Sequence, residues 1–357
     1  MHYVRVPSVE ASVRAMGVTA YGEPLVMLDL PEPEVPAGYA LLDVLTCGVC
    51  FSDVKTWRGH MPYSADLTLP AVPGHEIHGR VVRTNPPGLA EPGTRVTVFH
   101  YWPCGRCAAC RRGDETLCSA FVAWVGFTHP GGFAERMAVP VDRLVSVPPT
   151  IDPVHAAPLS CAMGTAYRSV IVRGGVRAGF RVAVIGLGGV GIHAAQVAVA
   201  AGAEVVGFDL SEPTLAAARD LGLDARRPDD PEAMASLPSA DGEGVDVAID
   251  TVGHAETLGL AERLLRPGGR VVAVGYSPNS SLTVATPRLV LGELELVGSR
   301  YAHRDDLERA VALVAAGRVR PIVGLVRPLE EVNEVFEALE SGAVVGRAVL
   351  DVAGVTR

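Results

Sequence analysis

Read by its apolar positions, the chain divides into two halves with different rhythms. In the first half, short β-branched runs alternate with Pro- and Gly-rich punctuation. Ala40–Leu45, His78–Val82, Arg95–Phe99 and Leu144–Val147 each read as a strand bounded by turn residues. That spacing predicts a compact β-rich domain or barrel, with Leu117–Glu135 as a loop. Near residue 155 the rhythm changes to buried strands alternating with helical segments. Strands are expected at Arg181–Ile185, Glu204–Phe208, Val245–Asp250 and Val271–Val274. Helices are expected at Val190–Ala201, at Glu212–Leu221 behind the N-cap Ser211, and from about His254 to Leu265. This β-α-β alternation predicts an α/β fold with a doubly wound parallel sheet. Two further helices and a strand follow: Asp306–Ala316, with Asp305 and Glu308 in capping-box spacing, Glu331–Glu340, and Arg347–Val352.

Composition narrows the class. At 357 residues the chain exceeds the roughly 250–300 at which single cores stop growing, so two domains are expected. A formal charge of −9, with Lys and Arg scattered, argues against a nucleic-acid or anionic-membrane surface. The stretch Val182–Phe208 is apolar enough to imitate a membrane span, but its six glycines with His193, Gln196 and Glu204 fit strand–turn–helix better. With no secretory leader pattern at the start, a cytoplasmic protein is expected. The seven cysteines are an awkward number for disulfide pairing and, in a reducing compartment, read better as metal ligands.

Four of them, Cys104, Cys107, Cys110 and Cys118, stand in C-x2-C-x2-C-x7-C spacing. Four thiolates in one loop can wrap tetrahedrally around one Zn²⁺, and a closed four-sulfur site is structural rather than catalytic. Arg106, Arg111 and Arg112 would offset its negative charge. An iron–sulfur cluster is the weaker reading, because nothing else implies electron relay. Cys47, Cys50 and Cys161 remain. Cys50 sits in a polar cluster, Cys47-Gly48-Val49-Cys50-Phe51-Ser52-Asp53, and His75 and Glu76 follow the turn at Pro73. Taken singly, each has a bland account as a structural histidine or a small buried thiol.

The loop Gly186-Leu187-Gly188-Gly189-Val190-Gly191 follows a predicted strand and opens a predicted helix, the context in which G-x-G-x-x-G binds a dinucleotide pyrophosphate. Asp209 ends the next strand, eighteen residues after Gly191. A carboxylate there accepts the ribose hydroxyls of NAD and repels the 2′-phosphate of NADP. No Arg or Lys follows among Leu210, Ser211 and Glu212.

Together, Gly48–Asp53, Gly74-His75-Glu76, the four-cysteine loop and the glycine loop closely resemble the medium-chain, zinc-dependent alcohol dehydrogenase family, in order and spacing over almost the whole chain. The resemblance implies a Rossmann-type domain at 157–298. It also implies a β-rich GroES-like catalytic domain at 1–156, with a structural zinc lobe at about 100–120, to which residues 299–357 return. It implies that Cys50, His75 and Cys161 bind a catalytic zinc with a fourth position open to water or substrate; two cysteines and a histidine are the ligand set general to alcohol dehydrogenases. Glu76 would lie beside that metal and enter its coordination transiently. Asp53 would orient His75, leaving Cys47 as a packed neighbour. Val274 and Gly275 would line the nicotinamide side, and Arg347 would reach the pyrophosphate.

The implied reaction is hydride transfer between NAD and an alcohol or its aldehyde or ketone, with zinc as Lewis acid and the Ser52 hydroxyl relaying the proton. Two positions depart from the family. Lys55 stands where many relatives carry a relay histidine, and Phe51 where relatives often carry Arg or His for the pyrophosphate. Trp57, His100, Tyr101 and Trp102 fall in segments that line the pocket in relatives, or else pack around the metal loop. A polyol dehydrogenase is the alternative reading. A zinc-free enone or quinone reductase fits worse, since such relatives lack the Cys50, His75 and Cys161 set. An inactive nucleotide-binding relative is disfavoured by the presence of Ser52 and Asp53. The family also implies a homodimer or homotetramer, with the edge near Ser277–Val290 as the contact.

Overall fold

Val182, Ala183, Val184 and Ile185 are all buried, as a strand covered on both faces requires. In the computed structural model, which describes residues 12–61, 67–232 and 244–356, they form the interior strand of a six-stranded parallel sheet. Its order is Asp224–Arg226, Glu204–Phe208, Arg181–Ile185, Val245–Asp250, Leu265–Ala273, Glu295–Gly298. Chain order reverses between Arg181–Ile185 and Val245–Asp250, where Ile185 pairs with Asp250. This is the Rossmann-type doubly wound arrangement, and ligands enter it at the carboxyl ends of the strands flanking the reversal. Ser211 caps the helix Glu212–Asp220 by accepting from Thr214 N.

The first half builds a second sheet around one long strand, Tyr39–Val49. It pairs antiparallel with Glu76–Asn85, Arg136–Pro140 and Arg347–Asp351. Arg95–Val98 and Leu144–Ser146 extend one side, and Val323–Pro328 joins the other in parallel with Arg347–Asp351. The chain therefore leaves this sheet before the Rossmann unit and returns to complete it. The long strand outruns its apolar alternation because register shifts between Leu41 and Leu42 and between Val44 and Thr46 break the two-residue period. Within the expected loop Leu117–Glu135, Ala123–Trp124 pairs with Tyr101–Trp102.

One expectation is corrected here. The helix Arg304–Ala315 is capped by His303 and Asp306, not by Asp305 and Glu308: Asp306 Oδ2 accepts from His303 N at 2.9 Å. Asp306 also pairs with buried Arg168 at 2.9 Å, which fixes that register. The same helix buries Leu307 and Ala310 in a core that joins Val182 and Ile192 to Phe99 and Val145 of the first half, and the chain rejoins the sheet around Tyr39–Val49 at Val323. Among the described residues no helix is long and apolar enough to cross a membrane, and Val182–Phe208 resolves into strand, glycine turn, helix and strand.

Candidate metal centre and dinucleotide cleft

The long strand delivers Cys50, which is extended (φ −99°, ψ 153°) and starts the helix Phe51–Trp57. Asp53, three residues on and fully buried, folds back on this start. Its Oδ2 accepts from Cys50 N at 2.8 Å, while Oδ1 accepts from Gly74 N at 3.3 Å and from His75 Nδ1 at 3.0 Å. One carboxylate thus fixes the helix, the turn before His75 and the imidazole ring, leaving Nε2 for the cysteine side. Ser160 Oγ donates to His75 O at 3.1 Å and brings Cys161 to the same point. The ligand atoms of Cys50, His75, Glu76 and Cys161 lie within 4.8 Å of one another, and all four residues are buried.

Their protonation is set by one another. A hydrogen bond from Cys161 holds the Cys50 thiol well below its ordinary range against burial, with Arg347 and His75 adding to the effect. That hydrogen bond, with burial, pushes Cys161 well up. Burial lowers His75, but Asp53 and Cys50 overturn this and carry it to about 10. Burial raises Glu76 to about 7, even against Arg347. Two thiols, an imidazole and a carboxylate in one dry cavity suit a borderline-soft divalent cation, whose charge would replace those protons.

The four-cysteine lobe shows the same fit. Sulfurs placed tetrahedrally about 2.3 Å from one ion stand about 3.8 Å apart. Here Cys104 and Cys110 sulfurs are 4.0 Å apart, Cys107 and Cys110 3.5 Å, and Cys107 and Cys118 3.8 Å. Backbone amides point at them: Cys107 N donates to Cys104 Sγ and Cys104 N to Cys118 Sγ, both at 3.3 Å. Backbone donors at Cys110 and Ser119 bring the Cys107 thiol down to about 5.

At the sheet reversal, the glycines of the second motif have separate duties. Gly186 has φ +81°, a left-handed turn that favours glycine. A Cβ on Gly191 would fall 1.7 Å from Gly186 O, so this position permits the helix to pack on the strand. A Cβ on Gly188 would meet nothing within 4 Å, which leaves its backbone facing open cleft. Val274 N and Gly275 N both bond to Asp250 O, placing them across the same crevice. The helix runs Gly191–Ala200, one residue shorter at each end than the expected Val190–Ala201, with Val190 at its N-cap. Asp209 accepts from Leu187 N at 2.7 Å and Ser211 N at 2.9 Å, which positions its carboxylate against the loop.

Arg347 joins the two sites. Its Nε donates to Glu76 Oε2 at 3.2 Å, and its Nη2 lies 2.7 Å from Oε1 in an ion-pair contact outside hydrogen-bond angles. A Cβ on Gly189 would stand 2.3 Å from Arg347 Nη1, so the glycine loop rests on the same guanidinium.

The remaining expected residues divide. Ser52 Oγ lies 3.6 Å from Cys50 Sγ. Lys55 Nζ sits 4.8 Å over the Tyr276 ring, reaching from the first domain to the end of a Rossmann strand. Phe51 is exposed, whereas Trp57 packs on Phe336 and Arg58 and Trp102 on His129, so these tryptophans are packing. His100 alone of the aromatic set stacks beside a candidate ligand, 5.3 Å from the His75 ring. The Cys47 thiol is enclosed between Gly74 and Gly132 and donates to Gly48 O at 3.6 Å. Sequence reading missed Arg226 and Arg227, which strand adjacency brings to Asp209. Asp209 N bonds to Arg226 O, and Arg227 donates to Leu210 O, while each arginine pairs with an aspartate of its own.

A glycine loop and a buried Cys–His cluster facing one crevice define a dehydrogenase. The comparisons agree. The family model described as alcohol dehydrogenase GroES-like domain matches residues 36–149, and that of zinc-binding dehydrogenase matches 189–316. An alcohol dehydrogenase of Geobacillus stearothermophilus is 35% identical over 95% of this chain and 98% of its own length. A solved alcohol dehydrogenase of Aeropyrum pernix is 31% identical, with TM-score 0.83 over 95% of this chain and 100% of that one. A solved NAD-dependent alcohol dehydrogenase is 30% identical, with TM-score 0.87 over the same shares. The chain belongs to the medium-chain, zinc-type alcohol dehydrogenase family.

Proposed function

We propose that this protein oxidises an alcohol, or reduces the matching aldehyde or ketone, using NAD and one catalytic zinc, while a second zinc holds the four-cysteine lobe. The observation that carries the reading is Arg347, which touches both Glu76 of the buried Cys–His cluster and the loop at Gly189, so that a metal at the one and a dinucleotide at the other would share one cleft. When bound, zinc supplies Lewis acidity toward the substrate oxygen and NAD accepts the hydride.

The chain's own residues do the rest. Cys50, His75 and Cys161 would hold the metal, Asp53 orients His75, and Glu76 is the neighbouring carboxylate available to it. Ser52 takes the hydroxyl proton, and Lys55, one helical turn further, lies on its way out. Asp209 selects NAD through the ribose hydroxyls, the open backbone at Gly188 admits the pyrophosphate, and Val274 and Gly275 flank the nicotinamide. Seven unpaired thiols suit a cytoplasmic setting.

The test follows absorbance of reduced nicotinamide with NAD and NADP in parallel, over primary, secondary, aromatic and polyol substrates, with and without a zinc chelator. Chelator-sensitive turnover with NAD is expected, and Ser52→Ala should lower kcat by about a hundredfold. Chelator-insensitive turnover, or none in protein holding two zincs, overturns the reading.

A further inference from the structure

We propose that Arg300 receives an anionic group, a carboxylate or phosphate, on the part of the substrate remote from the reacting carbon. This rests on the dehydrogenase reading above. Arg300 follows the strand Glu295–Gly298, at the carboxyl side of the sheet where doubly wound folds take ligands. It is exposed and forms no ion pair with any carboxylate among the described residues. Its guanidinium carbon lies 4.9 Å from the Tyr301 ring, 5.3 Å from Tyr101 and 5.8 Å from Trp124. Three aromatic rings thus lie against the planar fork. Part of the guanidinium faces the Tyr301 hydroxyl, and its remaining N–H groups suit a carboxylate or phosphate.

The same rings lead to the metal cluster. Tyr301 has φ +49°, rare for a tyrosine and sustained only where its surroundings over-determine it. Its ring stands edge-on to His100 at 5.6 Å, and His100 lies 5.3 Å from His75. Three successive contacts therefore run from the candidate ligand His75 to Arg300. His100 is 1% exposed, yet neither ring nitrogen makes a hydrogen bond of acceptable geometry, a cost that a polar ligand atom would relieve.

The opposite side carries a matching feature. Tyr276 is 54% exposed and lies within the field of both Arg300 and Cys50, and its ring bears Lys55, the chain's only lysine. Lys55 likewise pairs with no carboxylate among the described residues. One uncompensated cation thus rests on Tyr276 and a second, Arg300, acts on the same tyrosine through its field. In a chain of net charge −9, such a local reversal of sign draws an anion to a place the whole molecule would repel it from. The substrate class is an alcohol carrying an anion at the far end of an aromatic or similarly bulky body.

The test uses the full, zinc-loaded chain with NAD and three probes: para-hydroxymethylbenzoate, para-hydroxymethylphenyl phosphate and neutral para-methylbenzyl alcohol. At least one charged probe should exceed the neutral one in kcat/KM, and which it is distinguishes carboxylate from phosphate. Arg300→Met should lower kcat/KM for that probe about ten- to hundredfold, mainly through KM, and leave the neutral alcohol within about twofold. Arg300→Lys should restore only part, since it keeps charge but loses the fork. Equal losses on charged and neutral probes would make Arg300 merely structural and overturn the proposal, as would no loss on either. If no probe turns over, calorimetric binding of the charged probes in the presence of NADH separates the two readings. Binding abolished by Arg300→Met sustains the anion site without the reaction, and binding absent or unchanged by the variant ends it.

Discussion

Both ring nitrogens of His193 are engaged: Nδ1 donates to Gly189 O at 2.7 Å and Nε2 accepts from Ile322 N at 2.9 Å. That pattern requires the neutral ring, and burial lowers its pKa to about 4. In the unfolded chain a histidine titrates near 6.5. Between those values the unfolded state holds the extra proton, so stability is complete above about 6.5 and falls as pH drops toward 4. The full window is worth about 3 kcal/mol. Urea denaturation at neutral and acidic pH should show this loss in the wild type and a flatter profile in His193→Gln; parallel profiles would remove His193 as the cause. At this scale the four-cysteine cluster was legible in sequence because it lies in one short loop. Cys50, His75 and Cys161, which the structure brings within 4.8 Å of one another, were singled out only through the family resemblance. Arg300, Arg226 and Arg227 were not legible, because their neighbours come from strand adjacency rather than spacing.

Three neighbouring strands of the parallel sheet could be read to the residue. Arg181–Ile185, Glu204–Phe208 and Val245–Asp250 have the bounds expected from their apolar runs. Where tertiary pairing competes with local pattern, the reading slipped. Bulges lengthened Tyr39–Val49, and the buried Arg168–Asp306 pair moved the cap of Arg304–Ala315 to His303. The four-cysteine lobe is the element whose order depends least on packing: its helix, Ala108–Arg111, spans four residues, too few to persist alone. Cys107→Ser should therefore reduce bound zinc from two per chain to one and lower Tm by several degrees, with the metal at Cys50, His75 and Cys161 retained. Metal analysis beside a melting curve checks this, and two zincs in the variant would contradict a four-sulfur site.

For the whole molecule, composition and rhythm announced two domains, but the crossing points depend on contacts between distant segments. The helix Arg304–Ala315 reads from sequence as amphipathic whichever domain it packs on, and its Leu307 and Ala310 enter a core to which both halves contribute. The open edge of that sheet is similarly informative. Leu296 on its last strand is 46% exposed, and nearby Val290 and Leu291 are 66% and 83% exposed. An unpaired strand with an apolar flank invites a second copy. Light scattering should find a dimer or tetramer, and Leu291→Asp combined with Leu296→Asp should yield monomer; an unchanged mass would move the interface elsewhere.

Because Arg347 lies against both Glu76 and Gly189, occupancy at one end of its guanidinium alters what the other end offers. Thermodynamic reciprocity then makes the bookkeeping symmetric: whatever factor the metal contributes to dinucleotide affinity, the dinucleotide returns to the metal. Titrating dinucleotide at two zinc loadings, and timing zinc release at two dinucleotide concentrations, would therefore read one number from opposite ends.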